Sequence, residues 1–164
     1  KPSEAEQAQK NTGKKPVGFT VGFDALAVYV HKDNPLSEIT LEQLTEQGYS
    51  LACITNKAEA FTLPLLKNLE LHKYFKLVLS GDSLPKQKPD PLPLQHACRH
   101  FGIDTAHGVL VGDSSNDVHA ARAAGMPVIC VPYGYNHGHD IRESHPDQVV
   151  ESLVELPQYL RPYT

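Results

Sequence analysis

The sequence predicts an α/β fold, a three-layer parallel sheet with helices on both faces. Short apolar runs of strand length alternate with helical patterns of roughly ten residues, the signature of βαβ units. Glycines stand where those helical patterns should stop, at Gly48, Gly102 and Gly125. The apolar run Val109-Leu110-Val111 turns through Gly112 into Asp113-Ser114-Ser115-Asn116-Asp117. Such a turn belongs at the carboxyl edge of a parallel sheet, where ligands of open α/β folds collect.

Residues 1–16 are polar, lack hydrophobic periodicity and should form a frayed or flexible arm. Residues 17–164 then make a single α/β domain. Residues 17–30 read as a strand and 31–35 as a turn. Thr40 to Gln43 has capping-box form and opens a short helix ended by Gly48. Residues 49–55 form a strand stopping at Asn56, and residues 58–69 a helix that Pro64 delays or kinks. A strand over 76–80, a loop over 81–90 and a helix over 91–101 follow, with proline in the helix's first turn. Residues 108–111 are the strand before the acidic turn, 115–124 a helix closed by Gly125, and 127–131 another strand. Residues 148–150 read as an edge strand and 152–160 as the last helix.

Of 164 residues, 40% are hydrophobic and 21% charged, at a net charge of −4, as in soluble globular chains. Basic residues do not cluster, which argues against nucleic acid. The run 17–30 is broken by Thr20 and Asp24 and is too short for a bilayer, which argues against a membrane span. Cys53 and Cys130 lie in apolar strand-like runs and Cys98 on a helix, as reduced thiols of a cytoplasmic protein would. His96 and His100 flank Cys98 at a spacing that can bind zinc, but no further ligand is evident and surface histidines are commoner. No signal-peptide pattern or initial methionine is present, so the chain is expected to be a fragment, a processed product or an engineered chain.

Three features share one sheet edge in this reading. Thr55 and Asn56 end the strand 49–55, Lys88 lies in the loop before Pro89, and Asp113 and Asp117 follow the strand 108–111. Together they suit a small phosphorylated molecule or inorganic phosphate with Mg²⁺. The hydroxyl donates to a phosphoryl oxygen, the lysine offsets developing charge, and the carboxylates hold the cation. Singly, each has a plainer explanation: Thr55 as a strand end, Lys88 as a solvated loop charge, the aspartates as helix caps.

Those segments, ITNK, KPDP and GDSSND, make residues 41–155 resemble the core of the haloacid dehalogenase superfamily, most closely the phosphoglycolate phosphatases. Tyr133-Gly134-Tyr135-Asn136-His137-Gly138 is similar to the loop after that family's fifth strand. The resemblance implies a Rossmann-like sheet ordered 5-4-1-2-3, a Mg²⁺ cofactor, Thr55, Asn56 and Lys88 on phosphate, and Asp113 and Asp117 on metal. It also implies a first strand ending in DxDGT, which this sequence lacks. The nearest candidate is Asp24, as nucleophile and third metal ligand, with Leu26 in place of the acid/base carboxylate. Asp24 as a structural residue is the alternative. Only about twenty residues separate Asp24 from Glu46, so the core should be capless. Residues 16–44 instead resemble a segment of periplasmic phosphate-binding proteins, which implies a chimera: a first strand–helix unit, 17–47, of other origin joined to a phosphatase-like core, 48–164. The expected activity is phosphate monoester hydrolysis, impaired or lost. The alternatives are a non-catalytic phosphate- and cation-binding module or an engineered chimeric scaffold.

Overall fold

The computed structural model describes residues 25–28, 38–134 and 136–160. The strands are β1 (Ala25–Val28), β2 (Leu51–Ile54), β3 (Phe75–Leu79), β4 (Gly108–Gly112), β5 (Val128–Cys130) and β6 (Gln148–Val149). The α-helices are α1 (Glu38–Glu46), α2 (Glu59–Asn68), α3 (Leu92–Phe101) and α4 (Ser115–Ala124). The strands form one sheet ordered β3-β2-β1-β4-β5-β6, every pair parallel. This is the expected 5-4-1-2-3 order read from the other side, extended by the edge strand β6.

Burial explains why the layers form. Every residue of β2 and of β4 is buried, as expected for central parallel strands covered on both faces. Their alternate side chains enter two separate cores. Leu51, Cys53, Val109 and Val111 pack with Leu41 and Leu44 of α1, Leu66 of α2, and Leu153 and Leu156. Ala52, Ile54 and Leu110 pack with Leu94 of α3 and with Val118 and Ala121 of α4. Each fully buried leucine contributes about 1.5–3 kcal/mol relative to exposure, so both faces must be covered. The glycine stops appear as expected: Gly102 and Gly125 adopt φ of 71° and 68°, the left-handed conformation that closes a helix at little cost.

One element differs in kind from a regular α-helix. Residues 152–160 form a 3₁₀ helix, Leu153–Gln158, rather than an α-helix. Ser152 and Glu155 close a capping box at its amino end, and Pro157 lies inside it. The first strand is described only as Ala25–Val28, and the remainder of 17–30 and the turn 31–35 lie outside the described residues. Among the described residues no helix is long and apolar enough to cross a membrane.

From β1 the chain runs outward to β2 and β3, then crosses to β4 on the other side of β1. The carboxyl ends of β1 and β4 therefore flank the point where strand order reverses, the usual ligand crevice of such sheets.

Candidate active site

β4 delivers Asp113 directly beyond Gly112, and α4 begins two residues later. Asp113, Asp117 and Lys88 are only 2%, 1% and 3% exposed. Charges so buried are tolerated only when paired and hydrogen-bonded, and for Lys88 and Asp117 the local geometry meets that demand. Lys88 Nζ lies 2.7 Å from Asp117 Oδ1 and donates to the Ile54 carbonyl at 2.8 Å. Asp117 Oδ2 accepts from the Asp113 and Ser114 backbone N–H groups, each at 3.1 Å, and from Ser114 Oγ at 2.9 Å. Ser114, not Asp113, is the N-cap of α4, and Asp117 closes the capping box from the third helical position.

The two aspartates, read alike from their spacing, are thus placed differently. Asp117 is bound through both oxygens to Lys88 and to the turn. Asp113 places a further carboxyl group beside this pair, at the floor of the site. Glycines make this packing possible: a Cβ at Gly112 would overlap the Asp117 side chain, and one at Gly134 would overlap Asp113.

The loop carrying Lys88 is fixed from the end of β2. Asn56 Nδ2 donates to the Lys88 carbonyl at 2.7 Å, while the lysine head is held by Ile54. The Lys88–Pro89 peptide is cis. Thr55 is 4% exposed, and its Oγ1 accepts from the Lys57 N–H at 3.1 Å. A cavity of about 190 Å³ opens here, with Lys88, Asp113 and Asp117 at its floor and Asn56, Ser114, Asn116 and His137 around it. Thr55 is not among the lining residues, so of the two residues expected on phosphate at this strand end, Asn56 reaches the cavity.

Asp24 lies outside the described residues. The residue after it in sequence, Ala25, opens β1 opposite Gly108, and Val28 pairs with Val111. The Ala25 end is therefore the amino edge of the sheet, whereas Asp113 lies beyond the carboxyl edge. At about 3.3 Å per residue, the strand itself separates these edges.

Ser114, Asn116 and His137 were not singled out from sequence as cavity residues. The signal was available in GDSSND and in Tyr133–Gly138, but the spacing does not say that the two segments meet. Asn136 joins them: its Oδ1 accepts from the Ser115 N–H at 2.9 Å, and its Nδ2 donates to the His139 carbonyl at 3.1 Å. His96 and His100 sit apart from this site on α3. Cys98 between them is buried, and His100 is exposed and meets Phe101 edge to face. Among the described residues no group of three histidine, cysteine or acidic side chains is placed to hold a metal.

Buried carboxyl groups, a paired ammonium and a helix entrance thus meet at a strand-order reversal, where ligands of open α/β sheets collect. The haloacid dehalogenase-like hydrolase family matches residues 31–131, and this chain belongs to it. That match begins inside the segment 16–44. The chain is 60% identical over 115 residues to the phosphoglycolate phosphatase of Thiobacillus denitrificans, covering 70% of this chain and 51% of that protein. It is 58% identical over 121 residues to that of Nitrosospira multiformis, covering 74% and 53%. The crystal structure of a predicted phosphoglycolate phosphatase from Haemophilus somnus is similar at 38% identity and a TM-score of 0.74, over 76% of this chain and 56% of that one. A 2-haloacid dehalogenase from Pseudomonas syringae is similar at 33% identity and a TM-score of 0.61, over 76% and 51%. The chain spans about half the length of the curated relatives it matches.

Proposed function

We propose that this chain carries the core of a Mg²⁺-dependent phosphate monoester hydrolase of the phosphoglycolate phosphatase type, with turnover impaired by the lack of DxDGT. One observation carries this reading: the buried Lys88–Asp117 pair and Asp113 share the floor of one cavity at the carboxyl edge. The residues suit Mg²⁺, since the Asp113 carboxyl offers hard oxygen donors at the floor of the cavity. Bound there, Mg²⁺ would supply electrostatic stabilisation to a phosphoryl group. Asp113 would hold it. Asp117, read with Asp113 as a ligand, is proposed to act by fixing Lys88 and the turn. Lys88 would direct positive charge at a phosphoryl oxygen, with Asn56 and Thr55 shaping the strand end beside it. The substrate class is a small phosphorylated molecule, and the reduced thiols fit a cytoplasmic setting.

The absence of DxDGT, with Leu26 where the acid/base carboxylate would stand, favours a second reading, a module that binds phosphate and cation without chemistry. Losing a positioned acid/base group alone costs about 10²–10⁴ in rate. We further read residues 17–47 as a unit of different origin that supplies β1 and α1; an uninterrupted natural gene in one genome would overturn that.

Hydrolysis of p-nitrophenyl phosphate with and without Mg²⁺, beside Asp24→Asn, tests both readings. The expected result is turnover near background together with Mg²⁺-dependent binding of inorganic phosphate. Metal-dependent turnover abolished by Asp24→Asn would establish a working hydrolase that uses Asp24. Neither turnover nor binding would overturn both.

A further inference from the structure

We infer that Tyr133 is a positioning residue for Asp113, and that the rigidity it confers tunes the site to Mg²⁺ over a larger divalent cation such as Ca²⁺. The inference rests on the reading in which the Asp113 carboxyl holds the cation, and it gives a task to a residue outside the cavity.

The chain leaving β5 crosses Asp113 and is tied down on both sides of it. Val131 donates its N–H to the Gly112 carbonyl at 3.0 Å, and Asn136 Oδ1 accepts from the Ser115 N–H at 2.9 Å. Between those ties the Gly134 backbone lies directly on the Asp113 side chain, with no room for a Cβ. Where Gly134 sits therefore decides how far the carboxyl can turn. A glycine has no side chain to anchor itself. Tyr133, the residue before it, reaches the core.

The Tyr133 ring is half-buried and packs against the core cluster that contains Val131, Leu153 and Leu156. Its hydroxyl meets the Leu153 backbone N–H. That N–H opens the 3₁₀ helix Leu153–Gln158, and the cap serves its neighbours instead. Ser152 takes the Val154 N–H on its hydroxyl and the Glu155 N–H on its carbonyl. A first-turn N–H without a partner inside its helix is commonly met by a side chain. Tyr133 thus joins the C-terminal helix to the peptide that bears on Asp113.

Such rigidity matters most to a small cation. Mg²⁺ demands near-ideal octahedral geometry at short oxygen distances, whereas Ca²⁺ accepts longer and more variable ones. Groups that orient a metal ligand without touching the metal typically contribute about 10–100-fold to affinity. Loosening Asp113 should therefore cost Mg²⁺ more than Ca²⁺. Partial unfolding would weaken both alike.

Calorimetric titration of Mg²⁺ and of Ca²⁺ into the chain, Tyr133→Phe and Tyr159→Phe tests this. Tyr159 lies in the same core cluster and controls for the loss of a buried hydroxyl. Tyr133→Phe should bind Mg²⁺ about tenfold more weakly and Ca²⁺ nearly as tightly as before. Tyr159→Phe should leave both affinities unchanged. Tyr133→Leu, which also gives up the ring, should lose at least as much Mg²⁺ affinity as Tyr133→Phe. Unchanged Mg²⁺ affinity in Tyr133→Phe, an equal loss for both cations, or the same loss in Tyr159→Phe would overturn the inference and leave the site reading intact. Failure of the unsubstituted chain to bind Mg²⁺ would overturn the site reading, and this inference with it.

Discussion

At Lys88 a single side chain joins three parts of the molecule. Its ammonium meets the Ile54 carbonyl and the Asp117 carboxylate, from residues 34 and 29 positions away. An ion pair this deep contributes little net stability when intact, because desolvation offsets attraction, yet breaking it strands a buried charge. Lys88→Met should therefore destabilise the fold by about 3–5 kcal/mol in urea unfolding. Adding Asp117→Asn should recover part of that loss, since the stranded charge disappears while the Asp113 and Ser114 N–H groups keep an acceptor. Losses that simply add would mean the two residues act independently. KPDP was enough to point at Lys88, but no local pattern names an oxygen from another strand, so its partners were not legible.

Elements show the same division between local and distant causes. The stops of α3 and α4 were legible because Gly102 and Gly125 act within one turn of chain. The central strands were legible because their short apolar runs alternate with helical patterns. The segment 152–160 was legible as a helix from its apolar spacing and its capping box at Ser152, but its 3₁₀ form was not. Least legible was the entrance to α4. Its first N–H, that of Ser115, is accepted by Asn136, 21 residues later. Asn136→Ala should leave that donor without its partner and cost about 1–3 kcal/mol. Asn136→Asp, which keeps the acceptor and adds a charge favourable to a helix N-terminus, should cost less. Thermal unfolding of the two variants ranks them, and a costlier aspartate would mean that the bond to His139 dominates.

For the whole molecule, both cores contribute to one pH limit. Cys53 lies in one core and Cys98 and Cys130 in the other, all as free thiols. Burial pushes the Cys53 thiol up to about 12, against a partial lowering by Lys88, and Cys98 up to about 11; Cys130 is raised further still. Burial likewise raises the hydroxyls of Tyr49, Tyr133 and Tyr159. A group with a raised folded pKa gives up its proton more readily when unfolded. Its stabilisation is complete below the unfolded value, near 8.5 for a thiol, and declines as pH rises toward the folded one. Unfolding free energy in urea should therefore hold level up to about pH 8 and fall steadily toward pH 11. Replacing the three cysteines with alanine should flatten the early part of that fall and leave the later, tyrosine-driven part. An unchanged curve would show that the thiols ionise alike in folded and unfolded chain, and that the two cores admit water where the packing says they exclude it.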